Sequence, residues 1–244
     1  MIPAPQLQAL PRAEATIVIP VFNEGDRLQT VVDRCRRAME TLPLSAQICV
    51  LNDGSTDWSE HRERLLQQHG DVHVMHRTQN GGKGAVLADL FPHLQSRYVV
   101  VIDADGEYAP EEIERLLLPL HRGEADWVMG SRFGFDRPRP RQYRSTYLAN
   151  RFFSRWFQWL SGVSLRDPLT GLYAFRTETI ESLELRESRF AYTAELLWHA
   201  QRVARARWHE VPISYNFRTY AEGKKIRWWE GWTLTRAFWR YRRD

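Results

Sequence analysis

Cysteine is nearly absent: Cys35 and Cys49 are the two in 244 residues, both inside apolar stretches. Two isolated thiols exclude a disulfide framework and paired-Cys zinc spacing, and make a reducing, cytoplasmic compartment the expectation. No apolar run approaches the roughly 18–20 residues that span a bilayer. Met1-Ile2-Pro3-Ala4-Pro5 has neither the basic start nor the apolar centre of a secretory signal. No internal repeat is present. Also missing are the Gly-x4-Gly-Lys-Ser/Thr phosphate loop and the Gly-x-Gly-x-x-Gly fingerprint, which argues against P-loop and dinucleotide chemistry.

What is present is basic and unevenly placed. The formal net charge is +4, with Arg and Lys crowding residues 132–155 and 202–243. Such an excess suits phosphate-bearing partners: nucleotide, nucleic acid or anionic lipid. Charge does not choose among them. No RNA-binding signature or zinc knuckle appears, and carboxylates on the binding rim described next would repel nucleic-acid phosphate, so nucleic acid is not the expected partner.

Short β-branched runs at 16–19, 48–51, 72–75, 98–102 and 127–129 read as buried strands. Between them, Leu28, Val31, Val32, Cys35 and Met39 recur at helical spacing, with Asp26 and Gln29 as a capping-box start. A second helix opens at Pro110 and stops near Gly123, with Pro119 expected to disturb its last turn. Strands alternating with such helices imply an α/β fold: a mostly parallel central sheet with helices on both faces. Later come a Pro/Arg loop at 136–141, an aromatic helix at 147–160, a helix at 193–206 and a strand near 208–213.

Three polar clusters directly follow predicted strands: Pro20 to Glu24, Asn52 to Asp57, and Asp103 to Glu107. Ordinary caps and turns use the same residue types. Three clusters on one rim are a different matter, because carboxylates gathered there repel unless a cation or a donor-rich ligand relieves them. Asp103 and Asp105 share a side of an extended segment and could hold Mg2+ or Mn2+, with phosphate and water completing the shell. Glu107 extends the same parity; a solvated Asp-Gly turn is the plain alternative. Asn80-Gly81-Gly82-Lys83-Gly84 precedes a helix start, where backbone amides favour anions.

Seven motifs run in order through residues 15–232: Ile19 to Glu24, Asn52 to Asp57, Asn80 to Gly84, Asp103 to Gly106, Gly130-Ser131-Arg132, Asp167 to Gly171, and Val211 to Tyr215 followed by Arg218 to Ile226. Together they resemble the family-two inverting glycosyltransferases of the GT-A (Rossmann-like) fold, in the dolichyl-phosphate mannose/glucose synthase-like branch. The resemblance implies a nucleotide pocket of Pro20, Val21, Asn23, Glu24, Asn52, Asp53, Lys83, Asp103 and Ala104, with Asp53 on the base. It implies Mg2+ or Mn2+ on Asp103 and Asp105, with Glu107 as a further ligand. Arg132, Arg218, Lys224 and Lys225 would meet phosphates, and Asp105, Arg132 and Arg218 would serve catalysis. Asn52 departs from the usual second Asp. Arg218 also lies further from Gly223 than in mannose synthases.

The implied reaction moves mannose or glucose from a GDP- or UDP-hexose donor to a polyprenyl-phosphate lipid. An anionic lipid phosphate needs no general base; a glycan or glycolipid hydroxyl does, and Glu195 or Asp167 would supply it. A helix-start charge and a turn former are the plain readings of those two. A partner-binding module without turnover is the non-enzyme alternative. Residues 1–14 are expected as an extension, 15–225 as the GT-A domain and 226–244 as a basic aromatic helix. That tail suits either peripheral contact at the cytoplasmic face of a membrane or packing on the domain.

Overall fold

Apolar runs covered on both faces build the first strands: β1 (Ala15–Val21), β2 (Ala46–Asp53), β3 (Val72–Arg77) and β4 (Tyr98–Val101). With β5 (Trp127–Ser131), β6 (Tyr173–Arg176) and β7 (Trp208–Pro212) they form one seven-stranded sheet, ordered β3-β2-β1-β4-β6-β5-β7. Of these seven, β6 alone runs against its neighbours, β4 and β5. The computed structural model describes residues 1–8, 10, 12–133, 144–216 and 230–241. The expected loop at 136–141 lies outside those residues, as do Arg218, Lys224 and Lys225.

The described helices are α1 (Ala4–Gln8), α2 (Arg27–Met39), α3 (Glu60–Gln67), α4 (Lys83–Leu90), α5 (Ile113–His121), α6 (Arg144–Ser161), α7 (Tyr192–Arg202) and α8 (Glu230–Tyr241). Alternation along the strands splits the core in two. Ile17, Ile19, Ile48, Val50 and Val100 pack with Leu28, Val31 and Val32 of α2 and Leu116, Leu117 and Leu120 of α5. Val18, Cys49, Leu51, Val99 and Val101 face the other way, with Val86 and Leu87 of α4, Phe153 and Phe157 of α6, Leu197 of α7 and Phe238 of α8. Leu234 and Phe238 of α8 are about fully buried (1% and 0% exposed). Each such side chain contributes roughly 1.5–3 kcal/mol, so the inner face of the C-terminal helix is part of the core.

Two local expectations change. Asp26 already has helical dihedrals (φ −73°, ψ −10°) and makes no capping bond. A side-chain cap needs extended backbone there; the carboxylate instead points outward, 3.5 Å from Arg62. Gln29 bonds Asp33 at 2.9 Å. At Pro119 the helix runs on to His121, and the Pro119 carbonyl accepts the amides of Glu124 and Ala125 (2.9 and 3.2 Å).

Candidate functional site

β1 lies between β2 and β4, so the chain leaves it on opposite sides, and such a switch point opens a crevice at the carboxyl ends of the strands. The antiparallel β6 starts at that same rim, bringing in Leu169, Thr170 and Gly171. β5 and β7 end there, delivering Arg132 and Tyr215. The result is a cleft of about 530 Å³. Ten of the expected site residues line it: Pro20, Val21, Glu24, Asp53, Lys83, Asp103, Ala104, Asp105, Glu107 and Arg132. Asn23, Asn52 and Glu195 do not.

Asp53, at the end of β2, organises the glycine loop rather than projecting alone. Its carboxylate accepts the amides of Gly81 (2.9 Å) and Gly82 (2.6 Å). Burial raises its pKa, against the pull of those two amides and Arg77. Asn23, in the left-handed region (φ 53°), accepts the Thr56 amide at 2.8 Å and so stitches the β1 and β2 exits together. Asn52 accepts the Ser55 amide, three residues on, at 2.9 Å, while its amide nitrogen lies 3.0 Å from His76 Nδ1. Since the Asn52 oxygen is the acceptor, its NH2 donates to the imidazole. Both asparagines shape the rim from behind.

Asp103 Oδ1 meets Lys83 Nζ at 2.6 Å, and the ammonium lies 5.7 and 5.8 Å from the Tyr173 and Tyr192 ring centres. Burial, the largest single influence, acts to lower the lysine's pKa, but Asp103 together with Tyr192 and Tyr108 outweighs it and the net shift is upward. Asp105 Oδ1 accepts the Glu107 amide at 3.0 Å. Glu107, the expected third ligand, lines the same cleft and has Oε2 on the Tyr215 hydroxyl. No group of three or more metal-type side chains forms among the described residues. Asp103 and Asp105 are thus the pair that could hold a hard divalent cation. Gly171 closes the other side of Asp103: a Cβ there would stand 2.0 Å from Oδ2. Gly171→Ala is expected to rotate that carboxylate and cost roughly a hundredfold in kcat/KM; wild-type turnover in the variant would mean that Asp103's placement is unimportant.

Arg132 reaches the cleft from the end of β5, gripped by buried Asp167 through Nε (2.7 Å) and Nη2 (2.8 Å), and Nη2 also donates to the Leu169 carbonyl at 3.1 Å. Its guanidinium lies 5.1 Å from the Tyr215 ring centre. Asp167, one of the two base candidates, is therefore committed to aiming Arg132.

Glu195 is the other, and it too is committed. It is 5% exposed, and its carboxylate accepts the amides of Arg186 (2.9 Å) and Glu187 (2.7 Å). That bond fixes a segment leading to Arg189, which sequence reasoning missed. Arg189 has φ +50°, lends its carbonyl to the Gly84 amide at 3.3 Å and lines the cleft. Its chain crosses Gly82, where φ is +86° and a Cβ would stand 2.6 Å from Arg189 Cγ. Glu195→Gln is expected to cost about 1–3 kcal/mol of stability and to change kcat less than about threefold. A base would lose at least about a hundredfold, and a loss of that size would assign Glu195 the catalytic role.

The chain is similar in sequence and in fold to known proteins. One curated relative, polyprenol monophosphomannose synthase of Mycolicibacterium smegmatis, is 33% identical over 201 residues, covering 78% of this chain and 73% of that protein. Another, undecaprenyl-phosphate mannosyltransferase of Micrococcus luteus, is 29% identical over 213 residues, covering 85% of each. Among solved structures, Mycobacterium tuberculosis glucosyl-3-phosphoglycerate synthase in complex with uridine diphosphate aligns with a TM-score of 0.70. It is 20% identical and covers 94% of this chain and 80% of that one, which shows the fold. The same enzyme was also crystallised with Mn2+ and UDP-glucose. Residues 16–177, which carry Asp53, Asp103, Asp105 and Arg132, match the model of glycosyl transferase family 2, and the chain belongs to that family.

Proposed function

We propose that this chain transfers a hexose, mannose or glucose, with inversion from a GDP- or UDP-linked donor to a polyprenyl phosphate. Its place is then peripheral, at the cytoplasmic face of a membrane. The observation that carries the reading is one cleft at the switch point of the sheet, lined by Asp103 and Asp105 together with Asp53, Gly82, Lys83 and Arg132. Two carboxylates that line the cleft fit Mg2+ or Mn2+, which fills its shell from phosphate and water. When bound, such a cation would stabilise the charge of the leaving diphosphate as a Lewis acid.

The chain's own residues do the rest. The rim from Pro20 to Glu24 and Asp53 positions the nucleotide, and Arg132, with Arg218, Lys224 and Lys225, neutralises donor or acceptor phosphate. An acceptor phosphate oxygen forms the new bond to the sugar's anomeric carbon as the bond to the diphosphate breaks, and the nucleoside diphosphate departs with the electron pair. No proton has to be removed. This accords with the commitment of Glu195 and Asp167 elsewhere, and with the relatives' names, which specify polyprenol and undecaprenyl-phosphate acceptors.

The test supplies radiolabelled GDP-mannose, UDP-glucose and related donors with a short-chain polyprenyl phosphate in detergent. A labelled lipid monophosphate hexose is expected with Mn2+ and not with chelator. Transfer to a glycan hydroxyl, or hydrolysis alone, would overturn the proposed acceptor.

A further inference from the structure

Among the described residues, the cleft is lined by three cationic side chains, Lys83, Arg132 and Arg189. Asp103 holds the first at 2.6 Å, and Asp167 holds the second at 2.7 Å. Arg189 differs. It is exposed, and its guanidinium makes no hydrogen bond or ion pair with the described residues. Its charge does reach Asp53, where burial dominates and Arg189 is the weakest opposing influence. Both oxygens of Asp53 already accept the amides of Gly81 and Gly82. That carboxylate organises the loop; it does not grip the arginine.

The backbone makes Arg189 a costly place for a side chain. At φ +50° an L-residue crowds its Cβ against the next carbonyl, whereas glycine is unstrained there. The segment is nevertheless held from both ends. Glu195 accepts the amides of Arg186 and Glu187 on the approach, and the Arg189 carbonyl accepts the Gly84 amide. Gly82 leaves room for the stem: a Cβ there would stand 2.7 Å from Arg189 Cα as well as 2.6 Å from Cγ. The arginine thus lies across the loop whose amides Asp53 has ordered.

Resting on the nucleotide-sugar reading above, we propose that Arg189 binds the phosphates of the donor from the Gly82 side of the cleft. The guanidinium presents a planar fork of donors that matches two phosphate oxygens. Lys83 and Arg132 must share or leave a carboxylate to meet phosphate, whereas Arg189 gives up no partner among the described residues. The diphosphate is the donor's anionic part, so it is the group that an uncommitted cation in this cleft selects.

The test measures UDP and GDP by calorimetry on the full chain with Mg2+ present, and uridine and guanosine by competition. R189Q is expected to bind the preferred diphosphate at least about tenfold more weakly, the loss of a charge-assisted contact. Its affinity for the nucleoside should change less than about twofold. R189K should recover part of the loss, since it keeps the charge without the fork. R189G should lose as much as R189Q, with a thermal midpoint within about 2 °C of wild type or above it, because glycine relieves the left-handed backbone. Diphosphate binding unchanged in R189Q and R189G would overturn the proposal while leaving the donor reading in place. An equal loss on the nucleoside would move the contact to the base and overturn it too. So would midpoints lowered by more than about 5 °C in both variants, which would make Arg189 a residue that holds the fold. Wild type that binds neither UDP nor GDP would overturn the donor reading itself.

Discussion

Asp105→Asn is expected to lower kcat/KM for the nucleotide sugar by at least about a hundredfold while leaving the fold intact. The substitution keeps an oxygen to accept the Glu107 amide, now 3.0 Å from Oδ1, but removes the negative charge. Loss of one preorganised charge-stabilising group at a reacting centre typically costs roughly 10²–10³-fold. Stimulation by Mn2+ should fall with it, and a steady-state titration of Mn2+ at fixed donor reads both effects. If the variant retained wild-type Mn2+ stimulation, the cation site would lie elsewhere.

Asp167→Ala is expected to destabilise the protein by about 3–5 kcal/mol, because it strands the buried Arg132 guanidinium without its partner. Asp167 is 0% and the Arg132 side chain 8% exposed, and the pair is joined by a two-pronged bond. For a chain of this size the thermal midpoint should fall by about 10 °C. The double substitution Arg132→Met with Asp167→Leu separates stability from function. It removes both charges, so most of the stability should return while transfer stays lost. A double variant as active as wild type would remove Arg132 from the chemistry.

The strand-end clusters were legible because parallel strands buried on both faces read as unbroken apolar runs, and whatever follows each must gather on one rim. Asp103 and Asp105 came with them. Glu107 lines the same cleft, but its contact with the Tyr215 hydroxyl was not legible: β4 ends at Val101 and the chain turns from Ala104 to Gly106 (φ +78°). The side-sharing of alternate residues belongs to extended backbone, so parity alone could not place these side chains. Illegible for a different reason were β6, four residues too short for any periodic signal, and Arg189, placed by a carboxylate six residues later that clamps the backbone before it. Glu195 read either as a base or as a helix-start charge; its partners are amides, which sequence does not display. The C-terminal helix left burial and membrane contact open, since one amphipathic pattern serves both, and packing against α6 and α7 decided for burial of its inner face.

Crystals grown with a nucleoside diphosphate and Mn2+, read at the manganese absorption edge, address the cation and the cleft together. The expected anomalous peak lies within about 2.5 Å of carboxylate oxygens of both Asp103 and Asp105, with the diphosphate between the peak and the Gly81-Gly82 loop. A peak on Glu107 and Tyr215, or a nucleotide bound away from the exits of β1, β2 and β4, would contradict it.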